Sequence, residues 1–299
     1  MLQVRHYAIS LRAAAAPPLA ALFALAALAL ALALAGCGSQ SRSESTQPRA
    51  GSNGAQQATS ATGLPAPAQQ DAAIKRLAAI GKPIYCGGGT KRLVALTFDD
   101  GPGPYTSMML RELREAGARA TFFLVGRRVL RYPRLPERER ELAAIGNHTM
   151  THADLRAIGA TFAKAEIADG RATALKAAGG PVDLFRPPYG RRNARIDEEA
   201  SREGMAEILW DLDSADSRRS PPARFHEIAR RVRRNARPGS IVLLHENRGQ
   251  TVRAMRTILP ALARRRLRLV TVPELLAADP PTAAQLAKGR DGCRAAQLR

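Results

Sequence analysis

From about residue 71 onward the chain alternates short apolar runs with longer stretches in which apolar residues recur every three or four positions. Arg92-Leu93-Val94-Ala95-Leu96-Thr97-Phe98 is rich in β-formers and stops at Asp99-Asp100-Gly101-Pro102, so it predicts a strand over 92–98 ending in a turn that carries two carboxylates. Residues 119–124, RATFFL, predict a second strand, and 182–186, 206–211, 240–244 and 267–271 predict four more. Helical patterning falls between them at 106–116, near 137–144, and at 161–178, 196–203, 223–234 and 250–263, after a short helix at 71–80. Strands separated by helices of 10–15 residues indicate parallel β/α units. A run as apolar as Ser240-Ile241-Val242-Leu243-Leu244 fits a strand buried on both faces. An α/β domain is therefore expected over 92–278, with a lead-in at 71–91 and a Pro-, Ala- and Gln-rich tail at 279–299 that wraps the surface.

The first quarter of the chain follows neither pattern. Residues 13–36 are almost uninterruptedly apolar and follow Arg5, His6 and Arg12, the arrangement of a charged n-region and an h-region. The stretch ends in Leu34-Ala35-Gly36-Cys37, which resembles the lipobox of bacterial lipoproteins. That resemblance makes 1–37 a lipoprotein signal peptide, with Cys37 lipidated as the first mature residue. Several acyl chains would hold the protein firmly, each buried methylene contributing about 0.8 kcal/mol. An uncleaved membrane-spanning helix is the alternative, since roughly 20 apolar residues also cross a bilayer; a simple secretory signal is the third. All three can place the rest of the chain outside the cytoplasm. Residues 38–70 are dominated by Ser, Thr, Gln, Gly, Ala and Pro, and read as a disordered linker with a reach of roughly 30 Å.

With Cys37 assigned to lipid, Cys86 and Cys293 remain as a pair flanking the domain, and an oxidising compartment permits a bridge between them. Two unrelated thiols are the other reading. No CxxC is present, which argues against a cysteine-based zinc site. Lys and Arg outnumber Asp and Glu by 46 to 26, a formal charge of +20. Charge of that size concentrates anionic polymers at a surface. An exported chain seldom meets nucleic acid, so nucleic acid is not an expected partner, and the charge adds only a little weight to an acidic cell-wall or envelope polymer. Runs such as Arg230-Arg231-Val232-Arg233-Arg234 also fit plain solvated helix faces.

In parallel β/α folds the chemistry collects at the C-terminal ends of the strands. The polar residues of this sequence fall there: Asp99 and Asp100, then His148 and His152, Arg186, Asp213 and Asp216, and His245. In a helical turn the i,i+4 spacing of His148 and His152 would put both imidazoles on one face. Two imidazoles and a carboxylate form a recognised zinc set with positions left open for water and substrate. The HxxxH pair alone is a weak signal, because it lacks the glutamate of the zinc-protease helix.

TFDDGP at 97–102, HTMTH at 148–152, RPPYG at 186–190, DSAD at 213–216 and LLH at 243–245 resemble, in order and spacing, the motifs of the polysaccharide deacetylases that share the NodB homology domain, carbohydrate esterase family 4. The resemblance implies a distorted (β/α) barrel and hydrolysis of acetyl groups on chitin, peptidoglycan, exopolysaccharide or xylan. It makes Asp99 the catalytic base, and Asp100, His148 and His152 the ligands of one divalent metal, zinc or, as availability decides, cobalt or another first-row ion. It further makes Arg186 the cation that holds Asp99 ionised, the backbone N–H of Tyr189 an oxyanion donor, His245 the acid for the departing amine, and Asp216 its orienting partner. Two departures stand out. Ser217 replaces the family's aromatic after the motif aspartate, and Met150-Thr151 lies where an aromatic-Ser pair is common. The expected activity is metal-dependent deacetylation of an N-acetylated polysaccharide, peptidoglycan or a related N-acetylglucosamine glycan. An O-acetyl polysaccharide esterase or a non-catalytic carbohydrate-binding module are the alternatives. Trp210, the chain's only tryptophan, is expected to be buried rather than to stack on substrate.

Overall fold

The structure, a computed structural model, describes residues 63–220 and 222–295. The expected signal peptide, Cys37 and nearly all of the expected linker lie outside the described residues. In chain order the elements are α1 (Pro67–Ile80), β1 (Leu93–Gly101), α2 (Thr106–Glu115), β2 (Ala120–Leu124), α3 (Gly126–Arg131), α4 (Leu135–Arg140), β3 (Ala143–Asn147), α5 (Ala160–Ala178), β4 (Leu184–Phe185) and α6 (Ala194–Arg202). They continue with β5 (Ala206–Glu207), β6 (Leu212–Asp213), α7 (Phe225–Asn235), β7 (Ile241–His245), α8 (Gly249–Arg264), β8 (Arg268–Leu269), α9 (Val272–Ala278), α10 (Ala283–Lys288) and α11 (Arg290–Ala295).

The strands form one curled parallel sheet in the order β5-β4-β3-β2-β1-β7-β6, with β8 paired to the start of β1. This is the distorted (β/α) barrel expected from the motifs. β1 is central because it is apolar on both faces, and alternation along it divides two cores. Val94, Leu96 and Phe98 face the outer helices and pack with Met109, Leu113 and Ile258. Leu93 and Ala95 face the barrel interior with Phe123, Ile208 and Ile241, against Leu77 of α1 and Leu275 of α9. Thr97 and Asp99 continue the inward row, so the same period that fills the core delivers a carboxylate to the barrel mouth.

Several expected boundaries shift. The helix expected near 137–144 ends at Arg140, and Ala143–Asn147 is a full strand between β2 and β4. Small residues in Ala143-Ala144-Ile145-Gly146 mimic helix composition, but their place inside the sheet decides the outcome. The expected linker ends early: Leu64 is buried in the inner core, and α1 begins at Pro67, where proline starts a helix at no cost in hydrogen bonds. The strands expected at 182–186, 206–211 and 267–271 shrink to two residues each, and β6 was not foreseen. The tail is not irregular. It carries α10 and α11, and Cys293 is disulfide-bonded to Cys86 with Cα atoms 6.0 Å apart.

Candidate active site

Sheet register brings the motif residues to one edge. Asp99 lies level with His245 on β7 and with Phe123 on β2, Leu124 is level with Asn147, and Asn147 with Phe185. His148 and Arg186 therefore emerge side by side from β3 and β4, while Asp213 ends β6 on the other flank, level with Leu243 of β7. The mouth is a cleft of about 930 Å³ lined by, among others, Asp99, Asp100, His148, His152, Tyr189 and His245.

Consecutive strand residues normally point to opposite faces. Asp99 and Asp100 escape that rule through a bulge: the β1/β2 register shifts between Asp99 and Gly101, and Asp100 takes φ 68°. Both carboxylates then reach the same side. His148 Nε2 is 3.8 Å from Asp99 Oδ2 and 3.7 Å from Asp100 Oδ1, and His152 Nε2 is 3.1 Å from Asp100 Oδ1. One donor atom each from Asp100, His148 and His152 falls within 4.8 Å of the others.

The two histidines do not share a helical face, contrary to the expectation from their spacing. Residues 148–152 form a loop in which Thr149 (φ 67°) and His152 (φ 66°) are left-handed. A left-handed β-branched residue costs of order 1–3 kcal/mol and needs a surrounding that fixes it. Here the Thr149 amide donates to Asn147 Oδ1 (3.0 Å), its hydroxyl accepts from the His152 amide (3.0 Å), and its carbonyl accepts from the Gly126 amide (3.0 Å). Among the described residues, five of the six non-glycine positions with positive φ lie in turns at this edge: Asp100, Thr149, His152, Tyr189 and Ala215.

Arg186 is wholly buried and spans the barrel mouth. Its Nη1 donates to Asp99 Oδ1 (2.7 Å) and Thr97 Oγ1 (2.8 Å), Nε and Nη2 donate to the carbonyls of Ile208 and Leu209, and the guanidinium lies 4.0 Å from the Phe123 ring. The Arg186 carbonyl in turn accepts from His148 Nδ1 at 2.7 Å. Only an N–H can donate there, so Nε2 keeps its lone pair and faces the aspartates. Burial pushes His148 toward its neutral form against the pull of Asp99 and Asp100. Burial opposes ionisation of Asp100 too, but the His152 hydrogen bond and the nearby histidines hold its carboxyl well below the usual carboxylate range.

Across the cleft, His245 Nδ1 pairs with Asp216 Oδ1 at 2.7 Å, while Asp216 Oδ2 accepts from the His245 amide (2.7 Å) and the Thr251 hydroxyl (2.6 Å). Burial works against the imidazolium, yet Asp216, helped by Asp99 and Asp100, pushes His245 up to about 9. Ser217 lines the cleft without a ring, and Trp210 is half-buried on its wall rather than sunk in the core as expected.

Sequence reading missed the layer beneath the aspartates. Glu246 is fully buried: its amide donates to the Asp99 carbonyl (3.2 Å), its carboxyl accepts from Thr106 (2.5 Å), and a methyl group on Gly101 would overlap it. Burial pushes Glu246 up to about 8 against the pull of its bonds with Thr106 and Glu139, and burial together with Glu246 holds Glu139 well above its ordinary value. Asn247 Nδ2 donates to Asp100 Oδ2 at 3.2 Å. The position of both residues directly after a strand-ending histidine is the signal that could have found them.

The sequence model of the family described as polysaccharide deacetylase matches residues 87–208. A peptidoglycan-N-acetylglucosamine deacetylase of Bacillus cereus is 42% identical over 193 residues, 62% of this chain and 89% of that protein. A chitooligosaccharide deacetylase of Azorhizobium caulinodans is 32% identical over 60% of this chain and 92% of its own length. Among solved structures, the Bc1960 peptidoglycan N-acetylglucosamine deacetylase in complex with a naphthalenyl N-oxidanyl-benzamide superposes with a TM-score of 0.61 at 30% identity, over 65% of this chain and 92% of that one. Motifs that converge on one sheet edge, and identity sustained along nearly the whole of such relatives, lead to one conclusion: the chain belongs to the polysaccharide deacetylase family of hydrolases.

Proposed function

We propose that this protein removes the acetyl group from N-acetylglucosamine units of peptidoglycan or a related envelope glycan. The reading is carried by one observation: a two-histidine, one-aspartate cluster, a second aspartate held apart by Arg186, and a charged Asp216–His245 pair all face a single cleft. The relatives' substrates, peptidoglycan and chitooligosaccharide, support the glycan and the amide bond.

Asp100, His148 and His152 would hold a divalent metal. The donor set fits: one ionised carboxylate, one imidazole buried in its neutral form, and a His148 tautomer fixed by the Arg186 carbonyl, as ligating histidines require. Imidazole and carboxylate suit zinc, cobalt and other first-row ions alike. When bound, such an ion supplies acidified water and polarises the acetyl carbonyl.

Asp99 takes the proton from the attacking water. Arg186 Nη1 holds Asp99 Oδ1 at 2.7 Å, which orients the carboxylate and leaves Oδ2 facing His148 Nε2 at 3.8 Å. The Tyr189 amide, in a left-handed turn and with no acceptor among the described residues, offers a donor where negative charge grows on the acetyl oxygen. His245, charged and held through Nδ1, gives its Nε2 proton to the amide nitrogen, without which the amine is a very poor leaving group. The protein acts outside the cytoplasm, held to the membrane through lipid on Cys37.

Acetate release by the full chain from a panel of N-acetylated and O-acetylated glycans, with metal, without it and with chelator, tests the reading. Acetate from N-acetylglucosamine polymers that disappears on chelation is the expected result. Release from O-acetyl xylan alone, or from nothing, would overturn it.

A further inference from the structure

Trp210 is held in an unusual way. Its neighbours in sequence are fixed by the sheet: Arg186 donates to the carbonyls of Ile208 (2.9 Å) and Leu209 (3.1 Å), and the Asp211 carboxylate accepts from the Ile241 amide (2.8 Å) and the Ser240 hydroxyl (3.0 Å). Trp210 itself has the Arg186 guanidinium 5.6 Å from its ring and is also held by a residue far away in the chain. Arg290 Nε donates to the Trp210 carbonyl at 3.1 Å, and its guanidinium lies 5.7 Å from the indole centroid. Arg290 belongs to α11, beyond the segment matched by the family model.

The segment bearing Arg290 is fastened to the domain at two points. A capping box of Thr282 and Gln285 starts α10, Gln285 Nε2 donates to the Gly87 carbonyl (3.1 Å), and Cys293, one turn past Arg290, is bonded to Cys86. Arg290 also lies 5.9 Å from the ring of Tyr85, the neighbour of Cys86. The C-terminal segment is thus a strap, and its disulfide sets Arg290 against Trp210.

On its other side Trp210 meets the cleft. A methyl group on Gly190 would come within 2.7 Å of the indole Cη2, so the Tyr189–Gly190 turn rests directly on the ring. Ser217 offers no ring to this cleft, which leaves Trp210 and Tyr189 as its large aromatic side chains. Aromatic faces combine an apolar body with a polar tip, as a sugar's C–H face and hydroxyl rim demand.

We propose that Arg290 is a positioning residue for glycan binding: through its contacts with the Trp210 carbonyl and indole it fixes the aromatic wall of the cleft, and the Cys86–Cys293 disulfide keeps it in place. This rests on the reading of the cleft as a glycan site. Loss of a guanidinium–indole contact of this kind changes an affinity by about threefold or more.

Because the chain has a single tryptophan, the wall can be watched directly. The experiment compares full-chain wild type, Arg290→Ala, Arg290→Lys and the double variant Cys86→Ser/Cys293→Ser. It records Trp210 emission, acrylamide quenching, and KM and kcat for acetate release from a chitooligosaccharide tetramer. In Arg290→Ala and the serine pair, emission shifts to the red, quenching increases, and KM rises about threefold or more with kcat within about twofold. Arg290→Lys recovers part of each change, and it carries the test if the alanine variant does not fold. Unchanged emission or an unchanged KM overturns the proposal, as does a loss of kcat at constant KM, which is what general loosening would produce. If wild type releases no acetate, the deacetylase reading fails. Quenching of Trp210 by the tetramer then still measures binding, and equal quenching curves for wild type and Arg290→Ala overturn the role of Arg290.

Discussion

His245 Nδ1 lies 2.7 Å from Asp216 Oδ1, and that contact decides both the charge and the tautomer of the histidine. Asp216 brings the imidazole to about 9 despite its burial, so His245 is a charged acid across the neutral range. In Asp216→Asn the amide oxygen takes over the bonds to the His245 amide and Thr251, and its NH2 faces Nδ1. The ring then becomes neutral with its proton on Nε2, a far weaker acid. Turnover is expected to fall by about 10²–10⁴-fold on amide substrates. The high-pH limit of kcat/KM should move down toward the ordinary histidine value of about 6.5. A pH–rate profile checks this; an unchanged limit in Asp216→Asn would remove the pair from the mechanism.

The neighbouring aspartates are expected to separate cleanly. Asp99→Asn keeps shape but accepts no proton, so divalent metal still binds while turnover drops by about 10²–10⁴-fold. Asp100→Asn removes an anionic ligand, so metal affinity itself falls, and excess metal restores part of the activity. Metal titration by calorimetry alongside acetate release measures both. Equal loss of metal in the two variants would defeat the division of roles.

Glu246 gives a prediction about stability. Its folded pKa of about 8 stands above the ordinary glutamate value, so the folded state holds a proton that the unfolded chain releases. Stability is therefore fullest below about pH 4.5 as far as this group is concerned, and declines as pH rises to about 8. His245 acts in the same sense: its contribution is complete below about 6.5 and is lost as pH passes about 9. Glu246→Gln keeps an acceptor for Thr106 and cannot ionise, so the fall in Tm between pH 5 and 8 should be visibly shallower than in wild type. Parallel melting curves across that range would show the assignment to be mistaken.

Cys37→Ser is expected to abolish incorporation of labelled fatty acid and to release the protein from the membrane fraction or leave its precursor unprocessed. Intact-mass detection of an unacylated mature chain beginning at another residue would rule out the lipid anchor.

Much of this site could be read in the sequence because its residues sit at strand ends, where alternation and turn chemistry leave visible marks. Asp99 continues the inward row of Leu93, Ala95 and Thr97, and Asp100 follows it into a turn announced by Gly101-Pro102. What could not be read was set by contacts that spacing along the chain does not display. Ala143–Asn147 is a strand because β2 and β4 flank it, not because of its own propensity. The 148–152 loop departs from helix because Asn147 and Gly126 bind Thr149 across a turn that spacing alone cannot distinguish from one helical turn. Glu246 looked like any acidic residue after a strand, and only burial under Gly101 gives it meaning.

The bond between Cys86 and Cys293 joins positions 207 residues apart and encloses every strand among the described residues within one covalent ring. Proteolysis is then a different hazard for this protein than for an open chain. The turn at Arg218, Arg219 and Ser220, exposed and rich in basic residues, invites cutting by proteases that favour arginine. A single cut there opens the ring but frees nothing: the strands before it and the strands after it stay linked, and the two halves of the catalytic edge remain at the concentration of neighbours.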